Sequence, residues 1–194
     1  MTHTARTLQE AFGYLFAEEV DALQNLVRSL PGAPTVLQIG AGAGTSSLAM
    51  LEARSDVSLT TVDIQAGNSP FGCLYAEKQV VTEAGMADRL SQIHGSSITV
   101  GREWGGPKFD MVFIDGDHSY EGCKGDILAW TPHLKRGGIL AVHDYNKADA
   151  FENVTGKAPH PKVWDGVDLA VNELLMGFYP QVLFVRSLIA FRVE

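Results

Sequence analysis

The stretch Val36-Leu-Gln-Ile-Gly-Ala-Gly-Ala-Gly-Thr-Ser-Ser47 decides the fold. Thr35 to Ile39, apolar or nearly so apart from Gln38, reads as a buried strand. Glycines follow at alternate positions, Gly40, Gly42 and Gly44, and Thr45-Ser-Ser then leads into the helix-forming run Leu48-Ala-Met-Leu-Glu-Ala. Strand, glycine turn and helix start together make a nucleotide-type ligand site. The glycines allow a tight turn on which a ligand can lie, and the helix start offers free N–H groups. A second strand, Leu59 to Val62, ends in Asp63, an acid at the distance that can accept both hydroxyls of a ribose. A dinucleotide site would carry G-x-G-x-x-G; here the sixth position is Thr45, and Gly44 arrives one place early.

Toward the N-terminus, Thr7 to Leu30 reads as one amphipathic helix or two short ones, with Leu8, Phe12, Leu15, Phe16, Val20, Leu23, Leu26, Val27 and Leu30 at helical spacing. Pro31-Gly-Ala-Pro34 stops it, so residues 1–34 form an N-terminal helical segment. Its simplest role is core packing. It could also cap the ligand cleft or join two copies of the chain, which leaves a homo-oligomer open.

Toward the C-terminus, a turn-rich loop follows Asp63, starting at Ile64 and running to Gly72. Tyr75 to Ala84 reads as a helix closed by Gly85, and Leu90 to His94 as a short strand before Gly95-Ser-Ser97. Phe109 to Ile114 is a strongly apolar strand ended by Asp115, and Tyr120 to Trp130 is a helix. Leu134 to Gly138 reads as a turn, and Ile139 to Val142 as a strand ending at His143-Asp144-Tyr145. Residues 146–165 form a long polar loop with Gly156, Pro159 and Pro161; loops of this length at a strand end are usually functional, and His160 and Trp164 could touch a ligand there. Val167 to Met176 is helical, and two closing strands, Gln181 to Val185 and Ser187 to Arg192, meet at Arg186. Strands alternating with helices imply an α/β, doubly wound, mostly parallel sheet with helices on both faces, and the final strand pair implies a C-terminal antiparallel strand. In such sheets ligands bind at the carboxyl ends of the strands, where Asp63, Asp115 and Asp144 fall.

Composition narrows the function. At 194 residues the chain fits one domain, 1–194, with no linker or repeat. A net charge of −8, with Lys and Arg scattered, argues for a small-molecule partner and against nucleic acid. No run of about 18 apolar residues suggests a membrane span, and the first residues lack a secretory layout. Cys73 and Cys123 have no metal-type spacing and are expected as free thiols in a reducing, cytoplasmic setting.

The most specific stretch is Phe113-Ile-Asp-Gly-Asp-His-Ser-Tyr-Glu121. An apolar strand ends in Asp115, Asp117 and His118, and the next strand ends in His143 and Asp144. Carboxylates and imidazoles converging on one rim suit a divalent cation with positions open for substrate. Asp117 is the exception, an acid in the turn or a cap before Tyr120.

The G-x-G-x-G spacing of Gly40 to Gly44 resembles motif I of the class I S-adenosylmethionine-dependent methyltransferases. Ile114-Asp-Gly-Asp-His-Ser-Tyr-Glu-Gly122, Leu134-Lys-Arg-Gly-Gly138 and Val142-His-Asp-Tyr145 resemble one branch of that family. It contains the cephalosporin-hydroxylase-like proteins and the metal-dependent macrolide sugar O-methyltransferases. The resemblance, from Val36 to about Leu175, implies a Rossmann-like sheet of seven strands and the cofactor S-adenosylmethionine. It implies a cofactor site of Gly40, Ala41, Gly42 and Gly44, with the ribose on Asp63 beside Ile64 and the adenine at Ser96 and Ser97. Asp115 falls in the cofactor, metal and catalytic sets at once. Asp115, His143 and Asp144 would hold a divalent metal, Mg²⁺ first, and His118 would act as base. Two residues depart from the pattern: Gln38 stands where the family carries an acid, and His143 where the sugar enzymes carry one. The function expected is S-adenosylmethionine-dependent O-methylation of a small hydroxylated molecule with metal assistance. The competing readings are an NAD-type oxidoreductase and an S-adenosylmethionine-binding protein without turnover.

Overall fold

A computed structural model of the protein describes residues 3–12, 14–67, 73–147 and 165–194. Two helices, α1 (Ala5–Phe12) and α2 (Ala17–Ser29), precede β1 (Thr35–Ile39). Then come α3 (Thr45–Ala53), β2 (Ser58–Asp63), α4 (Leu74–Glu83), β3 (Leu90–His94), α5 (Ser97–Arg102) and β4 (Phe109–Ile114). They are followed by α6 (Tyr120–Trp130), β5 (Leu134–Val142), α7 (Asp165–Leu174), β6 (Gln181–Val185) and β7 (Leu188–Val193). The N-terminal segment is therefore two helices. Its break is fixed at Phe16, whose N–H donates to the Glu19 carboxylate at 2.7 Å and opens α2.

The seven strands form one sheet in the order β3-β2-β1-β4-β5-β7-β6. β1 to β5 pair in parallel, and β7 runs antiparallel between β5 and β6. The doubly wound sheet with its antiparallel strand near the C-terminus is thus the architecture that the alternation implied. Two boundaries differ from expectation. Gly95 to Ser97 does not stay a loop, because Ser97 starts α5, whose last turn rests on Trp130. Leu134 to Gly138 is the start of β5, paired at Leu134 with Phe109, and the Lys-Arg-Gly-Gly sequence appears as a register shift between Phe109 and Met111. The loop residues Asn68 to Gly72, and His160 and Trp164, lie outside the described residues.

Alternation along the central strands builds two cores. Met111 and Phe113 of β4 and Ile139 and Ala141 of β5 face α1, α2 and α3, where Leu8, Leu23, Val27, Leu48 and Met50 meet them. Val112, Ile114, Leu140 and Val142 face α6 and α7, against Ile127, Trp130, Val167 and Val171. Strands buried on both faces need apolar residues at nearly every position, which is why β4 reads apolar from Met111 to Ile114, with Asp110 at its entry paired to Lys135. Among the described residues no helix is long and apolar enough to cross a membrane. Cys73 and Cys123 are both buried and free.

The strand order reverses between β1 and β4, so their carboxyl ends part to form a crevice. Phe113 lies fully buried beneath it. Phe113→Ala should cost about 3–5 kcal/mol of stability, the usual range for removing a buried phenyl ring, as read by urea unfolding. A loss below about 1 kcal/mol would show that this core does not carry the sheet.

Candidate active site

The crevice at the strand reversal is a cavity of about 840 Å³. Its floor is the glycine turn after β1. Gly40 has φ +88°, and a Cβ there would lie 2.1 Å from the carbonyl oxygen of Asp115, so only glycine lets the β1 and β4 loops touch. The Asp115 N–H donates to the Ile39 carbonyl at 3.0 Å and completes the seam. Gly42 lines the cavity, and a Cβ there would meet no atom within 4 Å, so any side chain would enter open space. Gly44 does not line the cavity. A Cβ there would strike Val80 at 2.5 Å, so this third glycine serves the packing of α4 against the start of α3.

Asp63 closes β2 on the cavity wall with Ile64 beside it. One of its oxygens accepts the Ala41 N–H and the other the Gln65 N–H, both at 2.6 Å. Each carboxylate oxygen has two acceptor positions, so the turn uses one of each and leaves one of each for a ligand. Gly95, Ser96, Ser97 and Ile98 wall the cavity beyond Asp63. Tyr14, Leu15 and Phe16, from the turn between α1 and α2, line it as well.

Gln38 is fully buried and outside the cavity. Its amide donates to the Gly40 carbonyl at 2.6 Å and fixes the glycine turn from below. Its Oε1 accepts from Ser47, which also bonds Glu77, an acid that takes further hydrogen bonds from Thr61 and Gln92. Burial pushes the Glu77 carboxyl up, against the opposing pull of the Ser47, Gln92 and Thr61 hydrogen bonds.

Opposite the glycine turn stands the acid and histidine cluster. Asp115, His118, His143 and Asp144 all line the cavity, and Lys147 joins them. His118 Nε2 lies 3.0 Å from an Asp144 oxygen and 3.9 Å from an Asp115 oxygen. Asp115 and Asp144 hold the His118 proton and raise its pKa to about 10, against the opposing effect of burial. Asp144 has φ 64°, a left-handed conformation that Asp tolerates better than most residues, and Lys147 Nζ sits 2.8 Å from its other oxygen. Asp117 is the turn former expected of it, its carboxylate accepting the Ser119 N–H at 2.9 Å.

His143 occupies a different place from the other three. It is almost fully buried, with Nδ1 3.2 Å from Asp115 and 3.0 Å from Asp144, and Nε2 3.1 Å from Glu19. Burial disfavours its charged form, but the carboxylates of Asp115 and Asp144 outweigh that and push its pKa well above the ordinary histidine value. Glu19, on α2, is wholly buried; burial raises its carboxyl, yet hydrogen bonding and charge from His143 bring it below the ordinary carboxylate range. Asp115, His118 and Asp144 each present one ligand atom, all within 4.8 Å of one another. Both His143 nitrogens face carboxylates, and the atoms that could meet at one ion are those of Asp115, His118 and Asp144.

Sequence reasoning did not select Glu19, Asp126 or Lys147. The signal for Glu19 was present: three residues after Phe16 and one before Val20, it falls on the apolar stripe of α2. Lys147 lies three residues past Asp144, and nothing in composition distinguishes it.

The raised pKa of His118 has a direct consequence for stability. A histidine whose folded pKa exceeds its unfolded value stabilises the fold fully below about pH 6.5 and loses that contribution as pH rises through the folded value. The melting-temperature difference between wild type and His118→Gln should therefore be constant in acid and shrink from about pH 6.5 toward pH 10. A difference independent of pH over that window would mean that His118 is not held by the carboxylates.

Comparison with known proteins gives the arrangement a family. A family model described as a methyltransferase domain matches residues 37–145, more than half of the chain. A provisionally named O-methyltransferase from Mycobacterium ulcerans is 31% identical over 156 residues, covering 79% of this chain and 63% of that protein. The chain therefore spans about 63% of the length of the mycobacterial relatives it matches. A provisionally described caffeoyl-CoA O-methyltransferase from Staphylococcus aureus superposes with a TM-score of 0.74 at 17% identity, over 97% of this chain and 90% of that one. The O-methyltransferase TomG from Streptomyces achromogenes, solved in complex with S-adenosylmethionine, superposes with a TM-score of 0.67 at 19% identity, over 98% and 88%. At these identities the structural likeness establishes the fold, and the family match establishes descent: the chain belongs to the class I S-adenosylmethionine-dependent methyltransferase family.

Proposed function

We propose that this protein transfers the methyl group of S-adenosylmethionine to a hydroxyl of a small molecule, assisted by a divalent cation. One observation carries the reading: a single cavity has the glycine turn and Asp63 on one wall and the Asp115, His118 and Asp144 cluster on another. Cofactor and acceptor can then meet within one enclosed space, the arrangement a bimolecular transfer needs.

In this reading the cofactor lies over Gly40, Ala41 and Gly42. Its ribose hydroxyls donate to the acceptor positions that Asp63 keeps open, and its adenine lies by Ile64, Ser96 and Ser97. Gly44 supports the turn from outside the cavity. Tyr14, Leu15 and Phe16 give the acceptor an apolar wall. The carboxylates of Asp115 and Asp144 fit a divalent cation as its anionic ligands, with His118 beside them left uncoordinated to serve as base. His143 supports this set from behind and is not itself needed as a ligand. Such an ion acts as a Lewis acid that lowers the pKa of an acceptor hydroxyl. His118 carries a proton while both carboxylates face it, so it accepts the hydroxyl proton only from its neutral form, when those carboxylates are engaged elsewhere. The methyl group leaves sulfur as the oxygen–carbon bond forms, and the hydroxyl proton goes to His118 Nε2.

The cofactor part is tested by calorimetry with S-adenosylmethionine. Gly42→Val should abolish binding, because its side chain enters the cavity where no protein atom stands. Asp63→Ala should weaken binding by about 1–3 kcal/mol, the cost of losing a buried polar contact. Unchanged affinity in both variants would remove the cofactor from this site.

The metal part is tested separately. Exhaustive chelation should stop methyl transfer and leave cofactor affinity intact, since the glycine turn meets Asp115 only at its backbone and neither it nor Asp63 supplies an ion ligand. Asp115→Asn and Asp144→Asn should reproduce the chelated state. Full activity after chelation would eliminate the ion from the mechanism.

A further inference from the structure

Glu19 is the one acid of α2 that turns inward; the side chains of Glu18 and Asp21 are more than half exposed. Packing does not need it there, since Val20, Leu23, Leu26 and Val27 already hold α2 against the core. A carboxylate is costly to bury, and apolar side chains of similar size often replace buried ionic groups with no loss of stability. A wholly buried glutamate therefore calls for a role besides holding the helix.

Its two oxygens divide the work. Oε1 accepts the Ser187 N–H at 2.7 Å and the Ser187 hydroxyl at 2.6 Å. Oε2 meets His143 Nε2 at 3.1 Å and accepts the Phe16 N–H at 2.7 Å. An imidazole is rigid, so an oxygen that fixes Nε2 also fixes Nδ1. That nitrogen lies 3.2 Å from Asp115 Oδ1 and 3.0 Å from Asp144 Oδ1. The two aspartates repel each other, and the ring edge between them keeps both oxygens at one separation. Without Glu19 the ring could turn about its Cβ–Cγ bond and leave both acids. Phe16 lines the cavity, so its N–H brings the apolar wall into the same set of contacts.

We infer that Glu19 is a positioning residue for the cation site: it holds the His143 ring from behind and so sets the separation of Asp115 and Asp144 before an ion arrives. The inference rests on the proposed cation site and adds a residue of the N-terminal helices to it. Groups that orient metal ligands from behind fix the geometry the ion meets, and the ligands then need not be gathered when it binds.

The test uses Mg²⁺ alone as the probe, with S-adenosylhomocysteine as the control ligand, both read by calorimetry. In Glu19→Gln one end of the side chain carries only N–H groups, so it cannot accept from both His143 and Ser187. Its Mg²⁺ affinity should fall about 10–100-fold, the usual effect of removing a group behind a metal ligand. Its S-adenosylhomocysteine affinity should stay at the wild-type value, because Glu19 does not line the cavity. Ser187→Ala removes a donor to Oε1 and leaves the His143 contact, so it should melt earlier and bind Mg²⁺ as wild type does. Equal Mg²⁺ affinity in wild type and Glu19→Gln overturns the inference. So does an equal loss in Ser187→Ala, which would make Glu19 an anchor of α2 only.

A wild-type measurement decides the matter if Glu19→Gln loses both ligands through misfolding. The Ser187 N–H is buried, does not line the cavity and reaches the cluster only through Glu19 and His143. Its amide resonance should shift as Mg²⁺ is added, in step with calorimetric binding. A Ser187 resonance that stays still while those of Asp115 and Asp144 move overturns the inference. A wild type that binds S-adenosylhomocysteine and no Mg²⁺ is a different result: it removes the proposed cation site, and the inference with it.

Discussion

The β1 and β4 loops touch backbone to backbone, with the Asp115 carbonyl oxygen standing where a side chain on residue 40 would begin. Such contact needs glycine on one side and two neighbouring parallel strands whose connections leave in opposite directions. The rest of the site follows from it. The glycine turn is pulled over the crevice, so its backbone forms a floor and no side chain blocks it. The first acid after β4 is brought within one loop's width of that floor. Asp63 on one flank and Asp144 on the other then point toward the same space, because each ends or follows a strand adjoining this pair.

The second constraint is electrostatic. Three buried or half-buried carboxylates, Glu19, Asp115 and Asp144, lie close together, and separately each would be expensive to bury. They are compatible because basic groups alternate with them. His143 sits between Glu19 and the two aspartates, His118 bridges the aspartates on the cavity side, and Lys147 holds the far oxygen of Asp144. Glu19 uses its full capacity, accepting from the Phe16 N–H, the Ser187 N–H and hydroxyl, and His143. The histidine at position 143 thus has a physical account: it stands between the two aspartates and an acid that the N-terminal helix supplies.

Much of the fold was legible because its signals are local. The apolar run Met111 to Ile114 of β4 and the glycine turn after β1 are each set by adjacent residues. The two features misread, α5 and the early start of β5, are short or irregular and depend on partners far along the chain, Trp130 and Phe109. The site divides in the same way. Asp63, Asp115 and Asp144 could be found because an acid after an apolar strand stands out in one dimension. Asp126 could not, since it lies within a helix and becomes notable only through what packs against it, and Glu19 was marked only by its place on the apolar stripe of α2. The roles of His118 and His143 turn on which nitrogen faces which carboxylate, and spacing does not encode that.

The bond between Glu19 and Ser187 spans 168 positions of the chain. A ribosome makes Glu19 well before the residues that satisfy it, so the growing chain carries this acid on α2 with only the Phe16 N–H as a partner. Until first His143 and then Ser187 arrive, water must solvate the carboxylate in their place. Closure of that long loop is among the slowest kinds of contact to form. The back wall of the acid and histidine cluster thus depends on the last strand pair of the sheet, and a nascent chain that ends before Ser187 lacks it.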